Sequence, residues 1–288
     1  MSLLSHGPRT PEAAAAATCN DPEVARLRDE LGRFELGRFL LDNLGLDGRW
    51  TSYILMFPER GARTGLSSDG TALSDLESWL LSRCPIVLAT QQRFQLMREQ
   101  TQALLRPGMA LASLPCGAMD DLLSLDLTGI SGLRLSGVDL DPAALRLARH
   151  NHARLNPAVS VEFEQRDAWD LGCRERWDLV TSNGLNIYVA DDARCTAFYR
   201  CVAEALRPGG VFLISFITPP PQWRPQDSAD LERQRQLFQE VVPVRWSAHR
   251  DEATTRAQLQ QAGFEVLSLH HDAQRMFPVM VARRRPRP

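Results

Sequence analysis

The chain of 288 residues contains no lysine; its 33 basic residues are all arginine. A Schiff base on a lysine amine is therefore excluded, and with it pyridoxal phosphate chemistry. Long apolar runs are missing as well. No uninterrupted stretch reaches the roughly 18 residues a spanning helix needs, so no contact with a membrane is expected. Cysteine is sparse. Cys19, Cys84, Cys116, Cys173, Cys195 and Cys201 form no C-x-x-C pair, and the histidines do not complete a zinc spacing. Free thiols, no metal and a reducing cytoplasm are the expectation. The start shows no charged segment leading into an apolar one, so no signal peptide is expected either. An excess of one charge is lacking too. The net charge is −2, and nothing in it favours nucleic acid.

What remains is an ordinary globular composition, 44% hydrophobic. Residues 1–22, rich in Ala, Pro and Ser, read as disordered. Residues 23–104 read as a helical cap. Val24, Leu27, Leu31 and Phe34 recur at helix spacing, and helices are expected over Ser74–Ser82 and Thr90–Leu105. Residues 105–288 alternate strand and helix and read as a Rossmann-like α/β domain with helices on both faces of the sheet. Within it, 219–250 reads as a lid-like insertion. Phe264–Leu269 and Met276–Ala282 read as a closing antiparallel hairpin, and the arginine-rich tail from Arg283 as a solvated end.

The most informative stretch is Met109–Leu114, an apolar run that ends in a Cys116-Gly117 turn and passes at once into a helix-forming segment, Met119–Leu125. Asp139 follows Gly117 by 22 residues, at the end of a second apolar run. Strand, glycine turn, helix and then an acid closing the next strand form a nucleotide-binding half-sheet. The glycine admits close backbone approach, and the acid can accept hydrogen bonds from both ribose hydroxyls.

This pattern resembles the class I S-adenosylmethionine (SAM) dependent methyltransferases over roughly Leu104–Ile217. Val161–Ala168, Trp177–Asn183, the turn Ala205–Gly210 and the run Val211–Phe216 resemble that family's third strand, fourth strand, helix-to-strand turn and fifth strand. The resemblance implies SAM as ligand. Ser113 would lie at its α-ammonium, Cys116 and Gly117 in the turn beside the ligand, Asp139 and Leu140 at the ribose, Asp167 and Ala168 at the adenine, and Asn183 beside the methionine moiety.

The family's first strand ends in an acid followed by three spaced glycines. Here Ser113 stands at the acid position, Pro115 and Met119 at the outer glycines, and only Gly117 remains. Either Asp120 or Asp121 supplies the missing charge, or the charge is absent. Without it the α-ammonium of SAM loses its proton more readily. A neutral amine can attack its own γ-carbon, close a four-membered ring and expel methylthioadenosine. With Gly184–Val189, the Ser-Leu-Pro-Cys-Gly segment also resembles the azetidine-2-carboxylate synthases built on this fold. Tyr188 would face the sulfonium, and Ser215, at the end of the fifth strand, would bind the amine or carboxylate. The catalytic candidates are thus Tyr188, Ser215 and Asn183, with Asn186 flanking. A lid-facing or core tyrosine and a backbone-satisfied serine are the plainer readings of the first two.

Two alternatives stand beside cyclisation. One is a conventional methyltransferase acting on a small acceptor, for which His249 could serve as base. The other is a SAM-binding protein without catalysis. In each case the expected partner is a small molecule only, and the oligomeric state is not legible.

Overall fold

The computed structural model describes residues 22–244 and 248–286. The segment expected to be disordered, 1–22, lies outside them save for Pro22. Two compact units are present. Among the described residues, one comprises 22–91 together with 225–244; the other comprises 92–224 and 248–286.

The first unit is helical: Pro22–Leu31, Glu35–Asn43, Gly48–Met56, Asp75–Ser82, the opening turns of Pro85–Leu104, and Ser228–Arg235 continuing as a π-helical segment Gln236–Val241. Val24, Leu27 and Leu31 form the buried stripe of the first helix, as their spacing implies. Asp47 caps the third helix by accepting from Trp50 N at 2.9 Å, and Ser74 caps the fourth through Glu77 N at 3.2 Å. This unit ends at Gln91 rather than at 104, and it recruits 225–244 out of the segment read as a 219–250 insertion. The reason is long-range bonding. Trp79 Nε1 donates to Asp230 at 2.7 Å and Ile86 N donates to Gln234 Oε1 at 2.7 Å, across sequence separations of 151 and 148.

The second unit is built on a seven-stranded sheet: β1 (Ala110–Ser113), β2 (Arg134–Asp139), β3 (Ser160–Gln165), β4 (Trp177–Ser182), β5 (Leu206–Ser215), β6 (Phe264–His270) and β7 (Val279–Arg284). The order is β3-β2-β1-β4-β5-β7-β6. The first five strands are parallel, whereas β7 runs antiparallel to both β5 and β6. Every residue of β1 is buried, because helices cover both faces, and a strand of this kind reads as a continuous apolar run. One face of the sheet packs Phe198, Tyr199, Phe212 and Phe264; the other packs Met97, Leu122, Leu135 and Leu145. The tail is not solvated throughout. Arg283 and Arg284 belong to β7, and the buried Arg284 donates to Leu206 O and pairs with Glu175 at 3.2 Å.

Strand order reverses between β1 and β4. In an open parallel sheet the crevice at the carboxyl ends of such a pair is where ligands bind. Ser113 and Thr181 face one another there, directly in register.

Candidate functional site

The turn after β1 keeps the backbone of a nucleotide-binding loop although most of its glycines are gone. Gly117 has φ +51°, and open space lies above its Cα. Met119, at the third glycine position, still adopts φ +58°. For a side-chain-bearing residue that costs about 1–2 kcal/mol, which its complete burial offsets. Gly117 N donates to Asp139 Oδ2 at 2.9 Å, and Asp141 N donates to Asp139 Oδ1 at 3.0 Å. The acid closing β2 is thereby fixed against the turn, and burial holds its carboxyl above the usual carboxylate range. Cys116 is buried in the same turn, and burial pushes its thiol well above the ordinary value, so it is no nucleophile.

Leu140 follows Asp139 directly, and its carbonyl accepts from Gln165 Nε2 at 3.1 Å. Asp167 lies beyond β3 in a turn of its own, exposed, with Oδ1 accepting from Trp169 N at 2.9 Å. Ala168 beside it is buried.

The acid position of β1 has its charge restored from outside the strand. Ser113 Oγ donates to Asp121 at 2.9–3.0 Å, and Thr181 Oγ1 donates to the same carboxyl at 2.5 Å. Burial, the largest influence, raises the Asp121 pKa; the two hydroxyls oppose it. Of the two neighbouring acids, then, Asp121 reaches Ser113. Asp120 faces Asn151 Nδ2, at 3.4 Å. The left-handed Met119 sets this choice by aiming the short helix Asp120–Leu123.

Polar atoms with no partner gather at the ends of β4 and β5. Ser182 Oγ, Asn183 Oδ1, Asn186 Oδ1 and Ser215 Oγ are all buried and unpaired. The backbone-satisfied reading of Ser215 is not met. Tyr188 is 55% exposed, on a 3-10 turn Leu185–Tyr188 that follows β4, so it is no core residue. That turn is held by Arg250, a buried residue the sequence reading did not single out. Its guanidinium donates to Asn186 O at 3.0 Å, Val189 O at 2.6 Å and Asp192 Oδ1 at 2.7 Å. His249, beside it, is exposed.

Arg93 is the second residue missed. It lies on helix Pro85–Leu104, is 5% exposed, and leaves Nε and Nη1 unpaired. Its guanidinium stacks 4.6 Å from the Phe277 ring centroid. A Cβ on Gly184, which has φ +98°, would lie 3.0 Å from Nη1. Burial drives its pKa down to about 10, against the pull of Tyr188 and Asp272. A signal was present in the sequence: Arg93 falls on the buried stripe Ile86, Ala89, Met97 at helix spacing, where an apolar residue belongs.

A Rossmann-like sheet with this strand order, closed by an antiparallel seventh strand, is a methyltransferase-type α/β fold. The methyltransferase-domain family matches residues 114–210. A solved structure described as a possible exported protein of Bordetella parapertussis is 41% identical, with a TM-score of 0.84 over 91% of this chain and 87% of its own. Erythromycin 3''-O-methyltransferase of Saccharopolyspora erythraea is 33% identical over 142 residues, which is 46% of this chain and 42% of that protein. The chain therefore spans under half the length of this curated relative. Magnesium protoporphyrin IX methyltransferase of Synechocystis, solved with S-adenosylhomocysteine, shares the fold alone: 16% identity, TM-score 0.52, 81% of this chain and 96% of its own. Residues 114–210 therefore belong to the methyltransferase-domain family, and the sheet has the fold of SAM-dependent methyltransferases. Among its described residues no helix is long and apolar enough to cross a membrane.

Proposed function

We propose that the protein binds SAM and cyclises its aminobutyrate chain to azetidine-2-carboxylate, releasing methylthioadenosine. The observation that carries this reading is where the unmatched charge lies. Arg93, a buried cation with free donors, borders Gly184 at the end of β4; Asp121, a buried carboxyl, backs Ser113 at the end of the neighbouring β1. An isolated buried charge is costly until it meets its opposite. The amino-acid end of SAM carries both opposites, a carboxylate and an α-ammonium. Holding each at a different strand end would fix the chain between them, and a strained closure depends on such orientation.

The rim where a methyl acceptor would sit offers Ser182, Asn183, Asn186, Ser215 and Tyr188, none of which is a base near neutral pH. Open space above Gly117 and the fixed carboxyl of Asp139 suit the nucleoside of SAM. Asp167 and Ala168 would border its adenine. Tyr188 would set its ring against the sulfonium, and Ser215 Oγ and Asn183 Oδ1 would take hydrogen bonds from the amino-acid end.

A second reading, methyl transfer to a small acceptor, is favoured by one observation. Ala248 N donates to Ile187 O at 3.3 Å and Arg250 anchors the same turn, so His249 is carried beside the Tyr188 rim. An imidazole there could take a proton from an acceptor, as the relation to an O-methyltransferase suggests. The purified chain, incubated with SAM alone and analysed by mass spectrometry, tests both. Azetidine-2-carboxylate in equal amount with methylthioadenosine, above the enzyme-free background, is the expected result. SAM bound but unchanged would sink the cyclase, and an acceptor screen for S-adenosylhomocysteine would then follow.

A further inference from the structure

Cyclisation demands more than a held substrate. SAM arrives with an α-ammonium, and that nitrogen has no lone pair until a proton leaves. The group that takes the proton must lie at the amine, at the end of β1, rather than at the methyl.

One carboxyl meets that demand. Asp121 is 6% exposed and carries no ion pair among the described residues. Its hydrogen-bond donors are the Ser113 and Thr181 hydroxyls, with the backbone of Leu122. A cation is felt in this turn: Arg149 acts on Cys116 and holds its guanidinium over the Phe163 ring, 5.2 Å from the centroid. Asp120 precedes it on its own helix, and the Cys116 thiol and the Asp139 carboxyl lie toward the β1 turn. β1 and β4 present the Ser113 and Thr181 hydroxyls to it. From the flanking helices, Asn151 turns to Ala118 O and Asp120, and Arg98 reaches Ser124 O at 2.9 Å. Ser113 has a single hydroxyl proton and spends it on Asp121. Its oxygen lone pairs are thereby left to accept an N–H from whatever lies beyond the strand end.

We propose that Ser113 and Asp121 form a relay that takes the proton from the α-ammonium of SAM, with Asp121 as the final acceptor. The relay rests on the cyclisation reading above. The ammonium proton passes to Ser113 Oγ as the Ser113 proton passes to Asp121, giving a neutral amine and a carboxylic acid. The nitrogen lone pair then forms the N–Cγ bond, the Cγ–S bond breaks, and its electron pair returns to sulfur. Methylthioadenosine leaves as a neutral thioether. The ring nitrogen keeps two protons and a positive charge, so azetidine-2-carboxylate forms as a zwitterion. Asp121 then returns its proton to water, which accounts for the one proton released per turnover. Thr181 donates to Asp121 throughout and is a positioning residue. Burial raises the Asp121 carboxyl above its ordinary range, which makes it a stronger base for this transfer than an ordinary aspartate.

The test is the pH profile of azetidine-2-carboxylate formation by the full chain, from about pH 6 to 10, for wild type, Asp121→Asn and Ser113→Ala. SAM binding of each is measured by calorimetry. Loss of a positioned base lowers a rate by roughly 10²–10⁴-fold. Both variants are expected to fall by at least about 10²-fold in kcat near pH 7 and to recover toward wild type as the pH passes the ammonium pKa. Ser113→Ala, which leaves Asp121 in place, keeps the test valid should Asp121→Asn fold poorly. A deficit of equal size at every pH, or an unchanged profile, would overturn the relay while leaving the cyclase standing. A wild type that forms no azetidine product at any pH would overturn both.

Discussion

At the scale of single residues, the site is defined by buried donors left open and by an exposed aromatic ring. Arg93 is the sharpest case, since a buried guanidinium with unpaired Nε and Nη1 destabilises the fold that holds it. Replacing it with methionine should raise the thermal midpoint of the ligand-free protein. The same change should weaken SAM roughly 10–100-fold, the worth of a charged hydrogen bond or two, and leave decarboxylated SAM nearly unaffected. Calorimetry with the two ligands reads this directly, and equal losses for both would remove the carboxylate assignment. Tyr188 is the second case. Its exposed ring should stabilise a sulfonium by about 0.5–2 kcal/mol. Tyr188→Phe should therefore keep kcat within a few-fold, and Tyr188→Ala should lower it by about 2–30-fold. Equal activity of the two variants would show that the ring does not face the cation. Much of this residue-level picture could be read in advance, because Asp139 and Gly117 are set by a local strand-turn-helix pattern. The choice of Asp121 over Asp120 was not legible. Two adjacent acids look alike until the left-handed Met119 turns one of them onto β1.

At the scale of elements, the sheet was legible and the helical unit less so. Parallel strands buried on both faces write themselves as apolar runs, and β1, β2, β4 and the β6–β7 pair fall where those runs lie. Helix Gly48–Met56 did not announce itself, because Trp50, Tyr53 and Ile54 are as common in strands; the Asp47 cap decides it. The same helix sets up a buried acid. Tyr53 OH and Ser67 Oγ both donate to Glu77 Oε1, at 3.2 and 2.9 Å, while Oε2 has no partner. Burial raises the Glu77 pKa above its ordinary range. In the unfolded chain it ionises near about 4.3. Its contribution to stability is thus full below that value and is lost as the pH climbs through the folded pKa. Glu77→Gln cannot ionise and keeps an acceptor. It should match wild type near pH 4 and exceed it at pH 8 by about 1 kcal/mol, roughly 2–4 °C in midpoint. Thermal melts across that range check the sign, and a difference independent of pH would refute the account.

At the scale of the whole molecule, the question is whether SAM acts as a reactant that the fold needs. The described site contains a buried cation and a buried carboxyl, Arg93 and Asp121, that form no ion pair among the described residues, on a chain whose net charge is only −2. Such a protein gives up stability while empty and recovers it on binding a zwitterion, so its melting should report the ligand strongly. At a free SAM concentration of about 100 times Kd, linkage alone gives about 2.7 kcal/mol. Asp139→Ala removes the acceptor expected for the ribose hydroxyls and frees Gly117 N, so at the same SAM concentration most of that gain should vanish. The amino-acid end can be separated from the nucleoside end with methylthioadenosine, which lacks the aminobutyrate chain. Its stabilisation should disappear in Asp139→Ala but be unchanged in Arg93→Met, whereas SAM should lose stabilisation in both. If methylthioadenosine and SAM raised the midpoint equally in wild type, the buried charges would have no part in recognition. The fold would then hold SAM as a nucleoside, with its amino-acid chain free.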